Sequence, residues 1–142
     1  MSEETKDNYL RPEPYQEKDG EEYMNPDQQE HFRKILLSWK DSLLESMAST
    51  VTHMRDDAVN CPDPNDRATQ EEGFALELRT RDRERKLVKK IEESLLAIES
   101  GEYGYCTSCG IEIGVRRLEA RPTATQCIDC KSLDEIREKQ MA

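Results

Sequence analysis

Four of the five cysteines form two Cys-x-x-Cys pairs, Cys106-Thr-Ser-Cys109 and Cys127-Ile-Asp-Cys130, with seventeen residues between them. Each pair makes a tight knuckle with both sulfurs on one side, and two knuckles at this separation complete a tetrahedral zinc site with bonds of about 2.3 Å. Four protein ligands leave no open coordination position, so the expected role is structural rather than catalytic. Thioredoxin-like redox motifs are the competing reading, but the βαβ pattern that accompanies them is missing. A second group with chemical potential is acidic. Asp63 and Asp66 lie in the turn Asn60-Cys61-Pro62-Asp63-Pro64-Asn65-Asp66-Arg67-Ala68. Its prolines fix φ, remove two donors and disfavour helix in the residues before them. Asp66 is expected to cap the helix that follows. The carboxylates are then either turn and cap residues alone or an acidic point at the end of a long arm. Cys61, in the same turn, receives no metal role.

Two helices must carry that turn. Asn25-Pro26-Asp27-Gln28 reads as an N-cap, a proline at the first helical position and a capping-box partner. Phe32, Leu36, Trp39, Leu43, Met47, Val51, Met54 and Ala58 then recur every three or four residues, which predicts a helix from residue 26 to about 58, roughly 50 Å long. The second helix is expected after Asp66 and runs to about Ser100, stopped by Gly101 and Gly104. Its stripe is Phe74, Leu78, Leu87, Ile91, Leu95 and Ile98, interrupted by Arg79-Thr80-Arg81-Asp82-Arg83-Glu84-Arg85-Lys86. That interruption is either a solvated face of neighbouring opposite charges or a docking surface. Counting outward from the turn places Trp39 to Leu44 opposite Arg81 to Lys86 in an antiparallel pair. Ser132-Leu-Asp-Glu135 reads as a capping box opening a short last helix to about Gln140.

The expected fold is mainly α: an N-terminal arm over residues 1–25, an antiparallel coiled-coil hairpin over 26–100 with its tip at 60–68, and a four-cysteine zinc finger with a C-terminal helix over 101–142. The arm is acidic, with Pro12, Pro14 and Gly20 and no sustained period, and is expected to be only partly ordered. Tyr9, Tyr15 and Tyr23 are its candidate anchors.

Of the 142 residues only 35% are apolar and 37% are charged, which argues against a large core and suits a helix pair joined along a narrow stripe. The formal net charge is −10, and zinc on four thiolates lowers it to about −12. Nucleic acid is therefore a poor main partner. No apolar run is long enough to span a bilayer and the N-terminus has no apolar signal core, so a cytoplasmic protein is expected. That compartment also favours metal over disulfides for the cysteines.

With both parts in view the chain resembles the DksA/TraR C4-type zinc-finger family of bacterial RNA polymerase-binding transcription factors. The resemblance runs from Glu13 to Ala142 on PYQEKDGEEYMN, CPDPNDRA, ELRTRDRERKLVKKIE, YGYCTSCGIEIGVRRLEARPTA and CIDCKSLDEIREKQMA. It implies a non-catalytic monomer whose hairpin enters the secondary channel of RNA polymerase, bringing its tip near the active centre without binding DNA. Carried over by position, Asp63 and Asp66 are the acidic tip pair, with Asn60 and Ala68 beside them, and Arg83 contributes to polymerase docking. Lys90, Arg121 and Lys131 help hold guanosine tetraphosphate (ppGpp) at a site shared with polymerase, with Leu87 packing nearby. Cys106, Cys109, Cys127 and Cys130 are the zinc ligands. Cys61 departs from the phenylalanine of the family's tip.

The implied activity is repression of ribosomal RNA promoters and activation of some amino-acid biosynthesis promoters, together with ppGpp. No glycine-rich phosphate loop is present, so the isolated protein is expected to bind the nucleotide weakly. Two other functions compete. Asp63 and Asp66 as magnesium ligands in the polymerase active site would make a transcript-cleavage factor. Arg116, Arg117 and Arg121 would carry direct DNA binding, although three arginines in so acidic a chain make a small footprint.

Overall fold

Asn25 starts the first helix much as its type requires. Its Oδ1 accepts the Gln28 N–H at 2.9 Å, while Gln28 Oε1 accepts the Met24 N–H at 2.8 Å, one residue before the expected capping-box partner. The computed structural model describes residues 12–59 and 64–141. Among these residues four helices follow in order: α1 (Pro26–Val59), α2 (Pro64–Ser100), α3 (Val115–Ala120) and α4 (Ile128–Met141). Among the described residues there is no strand, and Tyr105 and Glu112 form an isolated antiparallel bridge.

The helix starts differ from expectation in two places. α2 begins at Pro64, so Asp66 lies in its first turn and is not its N-cap; proline at the first helical position costs no hydrogen bond, which permits the earlier start. α4 begins at Ile128, so Ser132 is inside the helix and opens no capping box. The end of α2 follows the glycine rule. The Gly101 N–H donates to Ile98 O at 3.3 Å and the Glu102 N–H to Ala97 O at 2.9 Å, a Schellman pair that Gly101, at φ 80°, makes without strain.

α1 and α2 pack as the hairpin, with the core concentrated at its base. Phe32, Ile35 and Leu36 of α1, Ile91 of α2 and Leu118 of α3 are fully buried, joined by Met24, Leu43, Val88, Ile98, Tyr103, Ile113 and Val115. Each such aliphatic or aromatic side chain is worth about 1.5–3 kcal/mol of burial. The expected stripe of α2 needs correction: Leu78 is exposed and Leu87 half-buried, whereas Val88 and Ser94 are buried. The facing of the two helices is shifted as well. Ser46 Oγ reaches Glu84 Oε1 at 3.4 Å and Lys40 Nζ reaches Glu92 Oε1 at 3.3 Å. Trp39 to Leu44 therefore lie opposite a stretch nearer the base than Arg81 to Lys86, because the helices are staggered rather than matched outward from the turn.

Residues 12–25 pack against the base. The Tyr15 N–H donates to Glu119 Oε1 at 2.8 Å, and His31 Nε2 contacts the same oxygen, so one carboxylate joins the arm, α1 and α3. The Tyr23 hydroxyl donates to Gly104 O at 2.7 Å and accepts the Gly114 N–H at 3.0 Å. Gly104, at φ 91°, is required here, since an added Cβ would stand 2.9 Å from Met24 Cγ. Tyr15 and Tyr23 are thus anchors, while Tyr9 lies outside the described residues.

Candidate metal centre and anion cleft

The first knuckle is built by backbone hydrogen bonds. The Cys106 N–H donates to Ile111 O at 2.8 Å, the Gly110 N–H to Cys106 O at 2.9 Å, and the Thr107 N–H to Thr125 O at 2.9 Å. The second knuckle is the start of α4. The Lys131 N–H donates to Cys127 O at 3.0 Å and the Cys130 N–H points to Cys127 Sγ at 3.5 Å, so a sulfur occupies the position of a helix cap. The four Sγ atoms lie within 4.8 Å of one another, and Cys109 and Cys127 are 3.7 Å apart. A tetrahedron with 2.3 Å bonds has edges of about 3.8 Å, so these residues fit zinc. The electrostatics agree. Hydrogen bonding from the Cys127 backbone draws the Cys106 thiol down to about 6, while the crowded Cys127 and Cys109 sulfurs push Cys130 up. A divalent cation relieves that crowding by taking all four as thiolates.

The metal knuckles also place a cleft. Lys90 from α2, Arg117 from α3, Arg121 at its C-terminal cap, the Thr123–Gln126 loop and Lys131 from α4 line a cavity of about 240 Å³, with Glu93 on its wall. Lys131 directly follows ligand Cys130, and Gln126 directly precedes ligand Cys127. The loop between is pinned from inside by the Tyr103 hydroxyl, which donates to Pro122 O at 2.7 Å. Burial raises the Tyr103 pKa, so the hydroxyl keeps its proton. Three cations from separate segments, Lys90, Arg121 and Lys131, are therefore brought together. Leu87 is half-buried against the core one turn away and does not line the cleft.

Residues 28–98 match the N-terminal domain of the DnaK suppressor protein DksA, and residues 101–135 match the prokaryotic dksA/traR C4-type zinc finger. The chain belongs to the DksA/TraR family. A DksA/TraR relative, the RNA polymerase-binding transcription factor DksA of Escherichia coli (strain K12), is 67% identical over 130 residues, spanning 92% of this chain and 86% of that protein. The factor of the same name from Haemophilus influenzae is 63% identical over 129 residues, covering 91% and 89%. The solved structure of transcription factor DksA2 from Pseudomonas aeruginosa superposes with a TM-score of 0.76 at 40% identity, covering 82% of this chain and 90% of that one. The four cysteines are the zinc ligands of this C4-type finger.

Of the remaining residues of interest in this DksA/TraR chain, Asn60, Cys61 and Asp63 lie outside the described residues. Asp66 is in the first turn of α2, Ala68 is exposed just beyond it, and Arg83 is exposed within the charged interruption. Reading the sequence missed α3, which is too short to show a period, and with it the place of Arg117 in the cleft. The available signal was the spacing of Arg117 and Arg121, four apart and hence on one face of any helix. Glu93 was missed because a lone carboxylate on a charged helix carries no local signature.

Proposed function

We propose that this chain is a non-catalytic transcription regulator that binds bacterial RNA polymerase through its secondary channel, carries Asp63 and Asp66 towards the active centre, and acts with ppGpp held in the cationic cleft. It represses ribosomal RNA promoters, favours some amino-acid biosynthesis promoters, and acts as a cytoplasmic monomer without contacting DNA. The observation that carries this reading is the gathering of Lys90, Arg121 and Lys131 into one cleft at the base of a long, thinly packed hairpin. No described residue between Leu43 and Val88 is fully buried, so that stretch serves as an arm rather than a core. Lys90 is separated from Pro64 by roughly 40 Å of helix, so a nucleotide in the cleft acts on the tip only by setting how the arm is held. A cavity of about 240 Å³ is smaller than a typical ligand pocket, which suits a site completed by a second protein.

Regulation also requires that the factor bind competing promoter complexes unequally, since equal binding shifts no equilibrium. The test is reconstituted transcription from a ribosomal promoter with and without ppGpp, comparing the intact protein with Asp66→Asn. The variant is expected to bind polymerase nearly as well and to lose regulation. Complete loss of binding would make Asp66 an anchor and contradict the proposed role. Stimulated RNA cleavage in a stalled elongation complex, with promoter lifetime unchanged, would replace the proposal with the magnesium-positioning reading.

A further inference from the structure

We infer that Arg117 is a fourth phosphate-holding residue of the cleft, pre-set by the fold through its Nε. The inference rests on the cleft being the ppGpp site proposed above. Arg117 is half-buried, and its Nε donates to Gln126 O at 3.1 Å. That bond fixes the guanidinium against the loop leading into ligand Cys127 and leaves the two terminal amino groups for an anion. The Arg121 N–H donates to Arg117 O at 2.8 Å, closing the last turn of α3 and setting the two arginines one turn apart. Both line the cleft with Lys131, the residue after ligand Cys130. A guanidinium held through Nε offers a planar pair of donors to a phosphate, with less rotamer freedom to lose than a lysine on a solvated stem.

The arrangement implies a division of labour. Arg117 and Arg121 form a paired arginine wall, while Lys90 and Lys131 approach as point charges from α2 and α4. The ligand class is a polyphosphorylated nucleotide, whose adjacent phosphoryl groups engage several cations at once. Arg117 also has a structural bond, so the test must separate holding the loop from holding the ligand.

Arg117→Gln and Arg117→Lys are compared with the intact zinc-loaded protein on polymerase, reading the ppGpp concentration for half-maximal repression of a ribosomal promoter, regulation without nucleotide, zinc content and Tm. Arg117→Gln is expected to raise the half-maximal concentration roughly tenfold or more, with nucleotide-independent regulation and zinc content unchanged. Arg117→Lys, retaining the charge but losing the planar fork, is expected to fall between the two. An unchanged nucleotide response in Arg117→Gln overturns the inference. Loss of zinc in both variants, or an equal loss of regulation with and without nucleotide, assigns Arg117 to structure alone and also overturns it. An intact protein that never responds to ppGpp removes the reading of the cleft itself, whereas a responding protein with indifferent Arg117 variants removes only this inference.

Discussion

The base and the arm of the hairpin are made from the same two helices yet held together by different means. At the base, Phe32, Ile35, Leu36 and Ile91 are fully buried, α3 and the zinc knuckles cover them, and the N-terminal arm is tied on through Tyr15 and Tyr23. Further out, Leu44, Leu76 and Leu78 are 44%, 64% and 45% exposed, and the contact from Ser46 to Glu84 is between polar side chains at 3.4 Å. Backbone hydrogen bonds and helix propensity hold the outer stretch more than burial does. The difference separates two tasks: a base that keeps its cations in register, and an arm that extends from it with little packing of its own, as the proposed entry into a polymerase channel requires.

Removing zinc should break the comparison most severely. The finger of about thirty residues cannot bury enough apolar area alone, so chelation should unfold residues 101–131 and disperse the cleft while much of the helical signal survives. Amide exchange shows this as loss of protection at Cys106, Thr107 and Arg121, whose N–H groups are hydrogen-bonded in the folded state. Retained protection at these amides in metal-free protein would show that the base needs no metal. Single truncations should give the next largest effect. Phe32→Ala should cost about 3–5 kcal/mol, because it opens a cavity in the fully buried cluster. Leu76→Ala should stay within about 0.5 kcal/mol, as expected for an exposed site. Equal losses in denaturant titrations would mean that the arm is packed as tightly as the base.

The same contrast governs what the residues disclosed before folding. The two long helices, the glycine stop after Ser100 and the four-cysteine site were legible, because they rest on local period, backbone freedom and ligand spacing. The start of α2 was misplaced because proline tolerates the first helical position, making Pro64 as good an opening as a position after Asp66. The start of α4 was hidden by the metal site, where Cys127 supplies the cap that Ser132 was expected to provide. Core membership near the interruption was also misjudged. Val88 is buried more fully than Leu87, which packs against the edge of the core half-buried. The convergence of Lys90, Arg117, Arg121 and Lys131 could not be derived from spacing, since it depends on how the finger folds back on α2.

Charge sharpens the comparison more gently. Among the described residues, Glu93 is the one carboxylate lining a cleft with four cations. Glu93→Gln should lower the ppGpp concentration for half-maximal response by several-fold, since a nearby negative charge opposes phosphate binding, and the gain should shrink as salt rises. A weaker response in Glu93→Gln would instead make this carboxylate a hydrogen-bond acceptor for the ligand. The matching change in the arm, Glu84→Gln, should leave the nucleotide response unchanged.

The smallest effect concerns the bonds that shape the N-terminal arm on the base. The Tyr15 hydroxyl donates to Glu21 Oε1, Asn25 Nδ2 donates to the same oxygen at 2.7 Å, and the Lys18 N–H donates to Oε2 at 3.0 Å. The Tyr15 hydrogen bond is the main reason Glu21 is drawn down to about 2, and the same bond drives Tyr15 up to about 12. The signs follow from linkage. A depressed carboxylate stabilises fully above its ordinary value near 4.3 and loses that contribution as pH falls towards about 2. A raised phenol stabilises fully below its ordinary value near 10 and loses its contribution as pH rises through about 12. The bonds that Glu21 makes within the arm are therefore complete between roughly pH 4 and 10 and weaken on both sides. Tyrosinate absorbance checks the alkaline limb, where zinc release by thiolate protonation does not intrude. Glu21→Gln should return one tyrosine towards ordinary titration, and Tyr15→Phe should remove that same component while leaving the high-titrating Tyr103 in place. A tyrosine titration curve identical in Glu21→Gln and intact protein would show that Glu21 does not hold Tyr15, leaving Glu119 and Gly104 as the contacts that fasten the arm.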